Sequence, residues 1–187
     1  MVIMEIALIN EALFRENSPV KDDTIINKFI PYIILAQKLH IAPILGDALT
    51  GELQTQIKAA SETGEPDAIT QLNKALITMI APPLSIYAVY QALPFHWAAI
   101  LNKGITVLES ENSKAVGASE LGQLRRYLRD DAQVLAQQLA DYLCSCEDSY
   151  PLWRPSGACG CAITRCGSNG GGSEKAAFNT GIYYPEH

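Results

Sequence analysis

The residues best equipped for chemistry are five cysteines gathered in one stretch, as Cys144-Ser-Cys146, Cys159-Gly-Cys161 and Cys166. Four thiolates can close a tetrahedral zinc site. Zinc ribbons, however, place two or more residues between paired cysteines, and each pair here encloses only one. The spacing therefore favours free thiols over a zinc set drawn from Cys144, Cys146, Cys159, Cys161 and Cys166. A catalytic cysteine needs an activating base. The three histidines, His40, His96 and His187, stand in no recognisable motif and read as structural or exposed. No phosphate-binding loop, dinucleotide fingerprint, HExxH or GxSxG element is present. These features predict a protein that is not an enzyme, with no cofactor and no metal.

The elements that would position any site are organised around Asp67 to Phe95, the most apolar stretch of the chain. Ile69, Leu72, Leu76 and Ile80 recur at steps of three and four, and Ile86, Tyr87 and Tyr90 resume the pattern beyond Pro82-Pro83. This predicts a long core helix interrupted at the prolines. Ala75 to Phe95 carries no formal charge and approaches the length of a bilayer span. The paired prolines, Ser85, Gln91 and the amphipathic segments on either side favour a buried helix instead.

Before it, Val2 to Leu13 reads as an extended arm or short helix ended by Asn17-Ser18-Pro19. Asp22 and Asp23 offer caps for a helix to about His40, with Ile26, Phe29, Ile30, Ile33 and Ile34 on one side and a kink or restart at Pro31. Pro43 and Gly46 break the pattern. Asp47 can cap a second helix through Leu49, Leu53 and Ile57, which ends before Thr63-Gly64-Glu65-Pro66. After Pro94, two short apolar runs flank Asn102-Lys103-Gly104, a β-hairpin signal. Ser119 then caps the cleanest amphipathic helix, striped by Leu121, Leu124, Leu128, Ala132, Leu135, Leu139 and Leu143. Its polar face carries Arg125, Arg126 and Arg129 with Asp130 and Asp131, either a solvated face with local ion pairs or a contact with a neighbouring subunit.

Beyond Cys144 the chain turns rich in cysteine and glycine. Ser168 to Ser173 is a Gly/Ser tether, followed by an aromatic cluster of Phe178, Ile182, Tyr183 and Tyr184. An aromatic patch beyond a tether suggests a docking segment, or packing back onto its own domain. The fold class expected is mainly α: a helical bundle with a small β-hairpin insertion and an extended C-terminal arm. Its divisions are an N-terminal arm (1–21), a helical domain (22–153) and a C-terminal arm (154–187). A net charge of -6 and a pI near 5.0 argue against a surface built to grip nucleic-acid phosphates, but suit a wall that lets DNA slide past. The first residues lack a basic segment and a small-residue cleavage site, so export by a signal peptide is not expected.

The succession IPYIILAQKLHIAPILGDALTGEL, APPLSIYAVYQALPF, NKGITVLESENSKAVGASELGQLRRYLRDDAQVLAQQLADYL and YPLW resembles the small helical head-to-tail connector (adaptor) proteins of tailed bacteriophages, especially those of Bacteroidetes phages. The pieces that carry the likeness are the turn at Pro43 to Gly46, the Asn-Lys-Gly connection with Ser-Glu-Asn-Ser at 110 to 113, and the long helix closing in Asp-Tyr-Leu at 141 to 143. The resemblance covers about residues 22 to 153, and the section from Cys159 to Cys166 has no place in it. It implies a homo-oligomeric ring, expected to be dodecameric, in the neck of the virion beneath the portal protein. Such a ring is assembled in the host cytoplasm, joins a tail or stopper protein, and extends the channel through which DNA is ejected without sequence-specific binding or membrane contact. It also implies neighbours held by extended arms, for which Met1 to Leu13 and Phe178 to Pro185 are the candidates, with Arg125, Arg126 and Arg129 at the portal or subunit interface. The alternative is a cellular helical binding module whose tail is clamped by zinc.

Overall fold

Leu76, Ile80, Ala81, Leu84 and Ala88 are fully buried along a single helix, in a computed structural model that describes residues 6–20, 24–101, 104–107 and 117–154. The chain is mainly helical across them. The expected interruption of the core helix is absent. This helix runs unbroken from Gln71 to Trp97 with Pro82, Pro83 and Pro94 inside it. It starts four residues later than expected, where the Thr70 hydroxyl accepts the Asn73 N–H at 3.2 Å. An interior proline costs about 3 kcal/mol or more. Each fully buried aliphatic side chain returns about 1.5–3 kcal/mol, and the buried face continues on both sides of Pro82-Pro83, so packing outweighs the lost hydrogen bonds.

The shorter helices lead up to this core. Residues 6–9 form no helix or strand and bend at Leu8 and Ile9, both buried, and α1 (Glu11–Glu16) is capped by the Asn10 side chain, which accepts from Leu13 N–H at 2.9 Å. Phe14 of α1 is fully buried and lies 5.5 Å from Phe29, so this part of the expected arm contributes to the same core. A 3-10 turn (Ile26–Lys28) leads to α2 (Ile30–Ala36), whose first turn holds Pro31, the restart that its fixed φ favours. The buried face of this segment is Ile26, Phe29, Ile33 and Ala36, whereas Ile30, expected inside, is 42% exposed. Asp22 and Asp23 lie outside the described residues.

The chain then widens into a π turn (Gln37–Ile41) before α3 (Ala42–Leu45). Pro43 supplies the cause: its ring would crowd the Leu39 carbonyl in a regular helix, and a wider turn opens that contact. Gly46 follows at φ +79, and α4 (Asp47–Thr63) begins on it, so Asp47 is the first helical residue and not the cap. Gly64 ends α4 at φ +72. The Gln56 side-chain Oε1, on α4, accepts from Thr70 N–H (3.1 Å) and from the buried Asn73 side-chain amide (3.0 Å), which fixes α4 to the start of the core helix, α5 (Gln71–Trp97).

After α5, β1 (Ala98–Leu101) pairs antiparallel with β2 (Gly104–Val107), in a register that sets Leu101 opposite Gly104. Asn102 and Lys103 lie outside the described residues. Finally, α6 (Ala118–Ser145) lays Leu128, Ala132, Ala136, Leu139, Ala140 and Leu143 against α5. It begins one residue before Ser119, and the start is closed by Gly117 N–H donating to Glu120 Oε2 at 3.2 Å. Leu124 of the expected stripe is 46% exposed. Beyond α6, a 3-10 turn (Glu147–Ser149) brings Tyr150 and Trp153 back inside. The Trp153 indole N–H donates to the Ile44 carbonyl at 2.8 Å and the Tyr150 hydroxyl to the Leu72 carbonyl at 3.1 Å.

That return closes on Gly46, where an added Cβ would collide with the Arg154 carbonyl, whereas one at Gly64 meets nothing. Gly64→Ala forces a side chain into left-handed helical backbone (φ 72, ψ 8), at about 1–2 kcal/mol, and Gly46→Ala forces one into a region (φ 79, ψ 160) that essentially only glycine enters. Gly46→Ala should lower the urea midpoint well beyond Gly64→Ala; equal midpoints would show that Arg154 does not pack there.

Candidate functional site

The arginines expected at an interface do not act alike. Arg125 turns inward, its guanidinium 4.5 Å from the centre of the Tyr90 ring, a cation–π contact that joins α6 to α5. Arg126 is exposed, and Arg129, also exposed, pairs with its neighbour Asp130 at 3.0 Å. The apolar residues on α6 are more telling. Leu124, Tyr127 and Val134 are 46%, 69% and 59% exposed, at spacings of three and seven that place them along one side of the helix.

That side borders a groove between α6 and the segment that leads into α2. Its floor is Val89, Ala92 and Leu93 of α5, its walls are Phe29 and His96 on one side and Leu124 and Leu128 on the other, and Pro19, Val20 and Thr24 close an edge. The cavity is about 460 Å³. Phe29 and His96 stack at 4.7 Å, so this wall is aromatic. A second cavity of about 510 Å³ lies toward the start of α5, lined by Ile6, Ile57, Ile69 and Ile77 among others.

Two polar positions were not singled out by sequence reasoning. Gln37 is 1% exposed, and its side-chain amide holds the segment before α1 at two points, accepting from Leu8 N–H at 2.9 Å and donating to the Ile6 carbonyl at 3.2 Å. The signal for it was a glutamine continuing the Phe29, Ile33 and Ala36 face at steps of three and four. His40, in the π turn, stacks on Tyr87 at 3.9 Å and lies 3.1 Å from the Gln91 amide nitrogen. Burial holds its imidazole below the ordinary histidine value.

Cys144 is disulfide-bonded and Cys146 is a free thiol. Cys159, Cys161, Cys166, Phe178, Ile182, Tyr183 and Tyr184 lie outside the described residues. Among the described residues no three histidine, cysteine or acidic side chains come together as a metal site. Gln71–His96 is long and apolar enough to cross a bilayer, but it is mostly buried among the other helices and serves as the core.

The model of a family of unknown function, DUF6712, matches residues 41–163, which is 123 of the 187 residues. The chain belongs to this family. No curated protein and no solved structure matches it. The DUF6712 match opens inside the π turn and takes in α3 through α6 with Tyr150 and Trp153, so the core helix and both faces of α6 lie within it. Gln37, Phe29 and the aromatic cluster from Phe178 lie outside it.

Gln37→Leu should leave helix content intact but strand the Leu8 N–H, at about 1–3 kcal/mol. Hydrogen exchange at Leu8 should accelerate and the urea midpoint fall; unchanged exchange would mean that apolar burial alone holds the segment. The His40 shift carries a sign. Its folded value lies below the unfolded 6.5, so the unfolded chain takes up protons first as pH falls, and stability is lost below about pH 6.5. The thermal midpoint should drop between about pH 6.5 and 5 more steeply than in His40→Phe, which keeps the Tyr87 stack, and parallel curves would remove His40 from the balance.

Proposed function

We propose that this DUF6712 member is a structural virion protein, a head-to-tail connector (adaptor) of a tailed bacteriophage. Copies of it form a ring beneath the portal, extend the DNA channel and join the capsid to the tail. In this reading the paired strands between α5 and α6 are a small β-hairpin insertion, residues 154–187 are an extended arm, and the protein is not an enzyme. The observation that carries the proposal is the outer side of α6. A helix about 42 Å long packs on α5 along one face and leaves Leu124, Tyr127 and Val134 exposed, with the exposed Asp130 and Asp131 one turn from both Tyr127 and Val134. Isolated exposed apolar residues need no explanation, but a row of them on one helix beside charge is what a neighbouring subunit covers.

The charge balance agrees with the reading. A chain of net charge -6 does not hold phosphates tightly, which suits a lumen through which DNA must pass.

Replacing Tyr127 and Val134 together by Glu should leave helix content and thermal midpoint nearly unchanged, since both side chains are mostly exposed. Native mass spectrometry of the unaltered chain with a candidate portal should show a closed ring of copies, and the double variant should remain a single chain. An unaltered chain that stays single at every concentration, alone and with portal, would overturn the connector reading; a double variant that still closes rings would place the interface elsewhere.

A further inference from the structure

The groove over the C-terminal half of α5 is apolar on its floor and both walls, and nothing in the described structure fills it. Its volume, about 460 Å³, lies in the range that holds a few large side chains. The chain itself contains few segments that could supply them. Lys21-Asp22-Asp23 is wholly charged, and Leu108 to Val116 carries Glu109, Glu111 and Lys114 among polar neighbours. Met1 to Glu5 is apolar, but it extends from Ile6, which lines the other cavity. That leaves the end of the chain, where Phe178, Ile182, Tyr183 and Tyr184 fall within seven residues.

We infer that this groove is the receptor for the aromatic segment Phe178–Tyr184 of a second copy of the chain, so that each copy is strapped to the next. That the copy is a different one rests on the ring reading above; the chemistry of groove and segment does not. Large aromatic rings bury much area for little lost rotamer freedom and pack well against the stacked Phe29 and His96. Reach is sufficient. From the Arg154 carbonyl, packed at Gly46, the 23 residues from 155 to 177 can span roughly 80 Å when extended, about twice the length of α6. Leu124, which forms one wall, is also the first of the exposed row with Tyr127 and Val134, so a neighbour seated on that row lies beside the groove's open edge.

The test uses the full chain with Leu124→p-benzoylphenylalanine, a position exposed enough to accept the probe, prepared as an equal mixture of ordinary and 15N-labelled copies under the conditions where it assembles. Irradiation should cross-link position 124 to residues 174–187, with mixed-isotope pairs as abundant as same-isotope pairs. Tyr183→Ser with Tyr184→Ser should lower the cross-link yield by about tenfold or more, as loss of an aromatic anchor does. A probe at Leu93, on the groove floor, should give the same pairs. Cross-links confined to same-isotope pairs would show that the groove holds its own arm, and cross-links to another segment, such as Met1 to Glu5, would give the groove another occupant; either overturns the inference. Closed rings without any link between position 124 and the arm would overturn it while leaving the connector reading in place, and single chains that nevertheless show same-isotope links would sink both.

Discussion

One constraint governs the fold: α5 is apolar around most of its circumference, so the chain has to cover it from several sides. Ile80, Ala81 and Leu84 are fully buried, as is Ser85, whose hydroxyl has no hydrogen-bond partner among the described residues. α2 lies along one side with His40 on Tyr87 and Phe29 on His96, and α6 along another with Arg125 on Tyr90. The remaining cover comes from the two ends of the described chain. Phe14 enters from the N-terminal side, and the Tyr150 hydroxyl grips the Leu72 carbonyl from the other.

Covering one long helix with short ones forces sharp corners, and the residues that allow them are Pro43 and Gly46. The proline widens the preceding turn to the π form, and the glycine takes a left-handed turn that a side chain would resist. The same lack of a side chain admits the Arg154 backbone, so the corner between α3 and α4 is also where the end of the helical body docks. Trp153 completes the joint by donating to Ile44 of α3. Residues more than a hundred positions apart thus close one corner, and local pattern carries no trace of it.

What the sequence made legible follows from this. Periodicity located the cores of α4, α5 and α6, because their apolar residues repeat at helical steps over many turns. It misjudged Pro82-Pro83, since the local cost of proline is visible in a sequence and the packing that outweighs it is not. The caps at Asp47 and Ser119 were each misplaced by one or more positions, because Gly46 and Gly117 carry no side chain to signal a cap. Gln37 was legible only as a polar residue on an apolar face, and its partners, the backbone groups of Ile6 and Leu8, have no side-chain signature at all. Of the candidate site, the arginines were read as one group from their spacing, yet 100° per residue turns Arg125 inward and leaves Arg126 outward. The exposed row of Leu124, Tyr127 and Val134 went unread because Leu124 had been assigned to the buried stripe.

The division between covered and uncovered apolar surface then bears on what is shared with other DUF6712 chains. The matched stretch from 41 to 163 holds α5 and α6 whole, so it includes the groove floor of Val89, Ala92 and Leu93 and the wall of Leu124 and Leu128. The opposite wall, Phe29, and the edge at Pro19, Val20 and Thr24 precede the match, and the aromatic segment from Phe178 follows it. The two parts outside the match are thus the ones that would have to suit each other, wall to segment, while the floor and the α6 wall supply an apolar bed that need not distinguish one occupant from another. Specificity between copies of one chain requires that some part of the contact vary together on both sides. Under the proposed strap, the residues outside the match that would do so are Phe29 on the groove and Phe178, Tyr183 and Tyr184 on the arm.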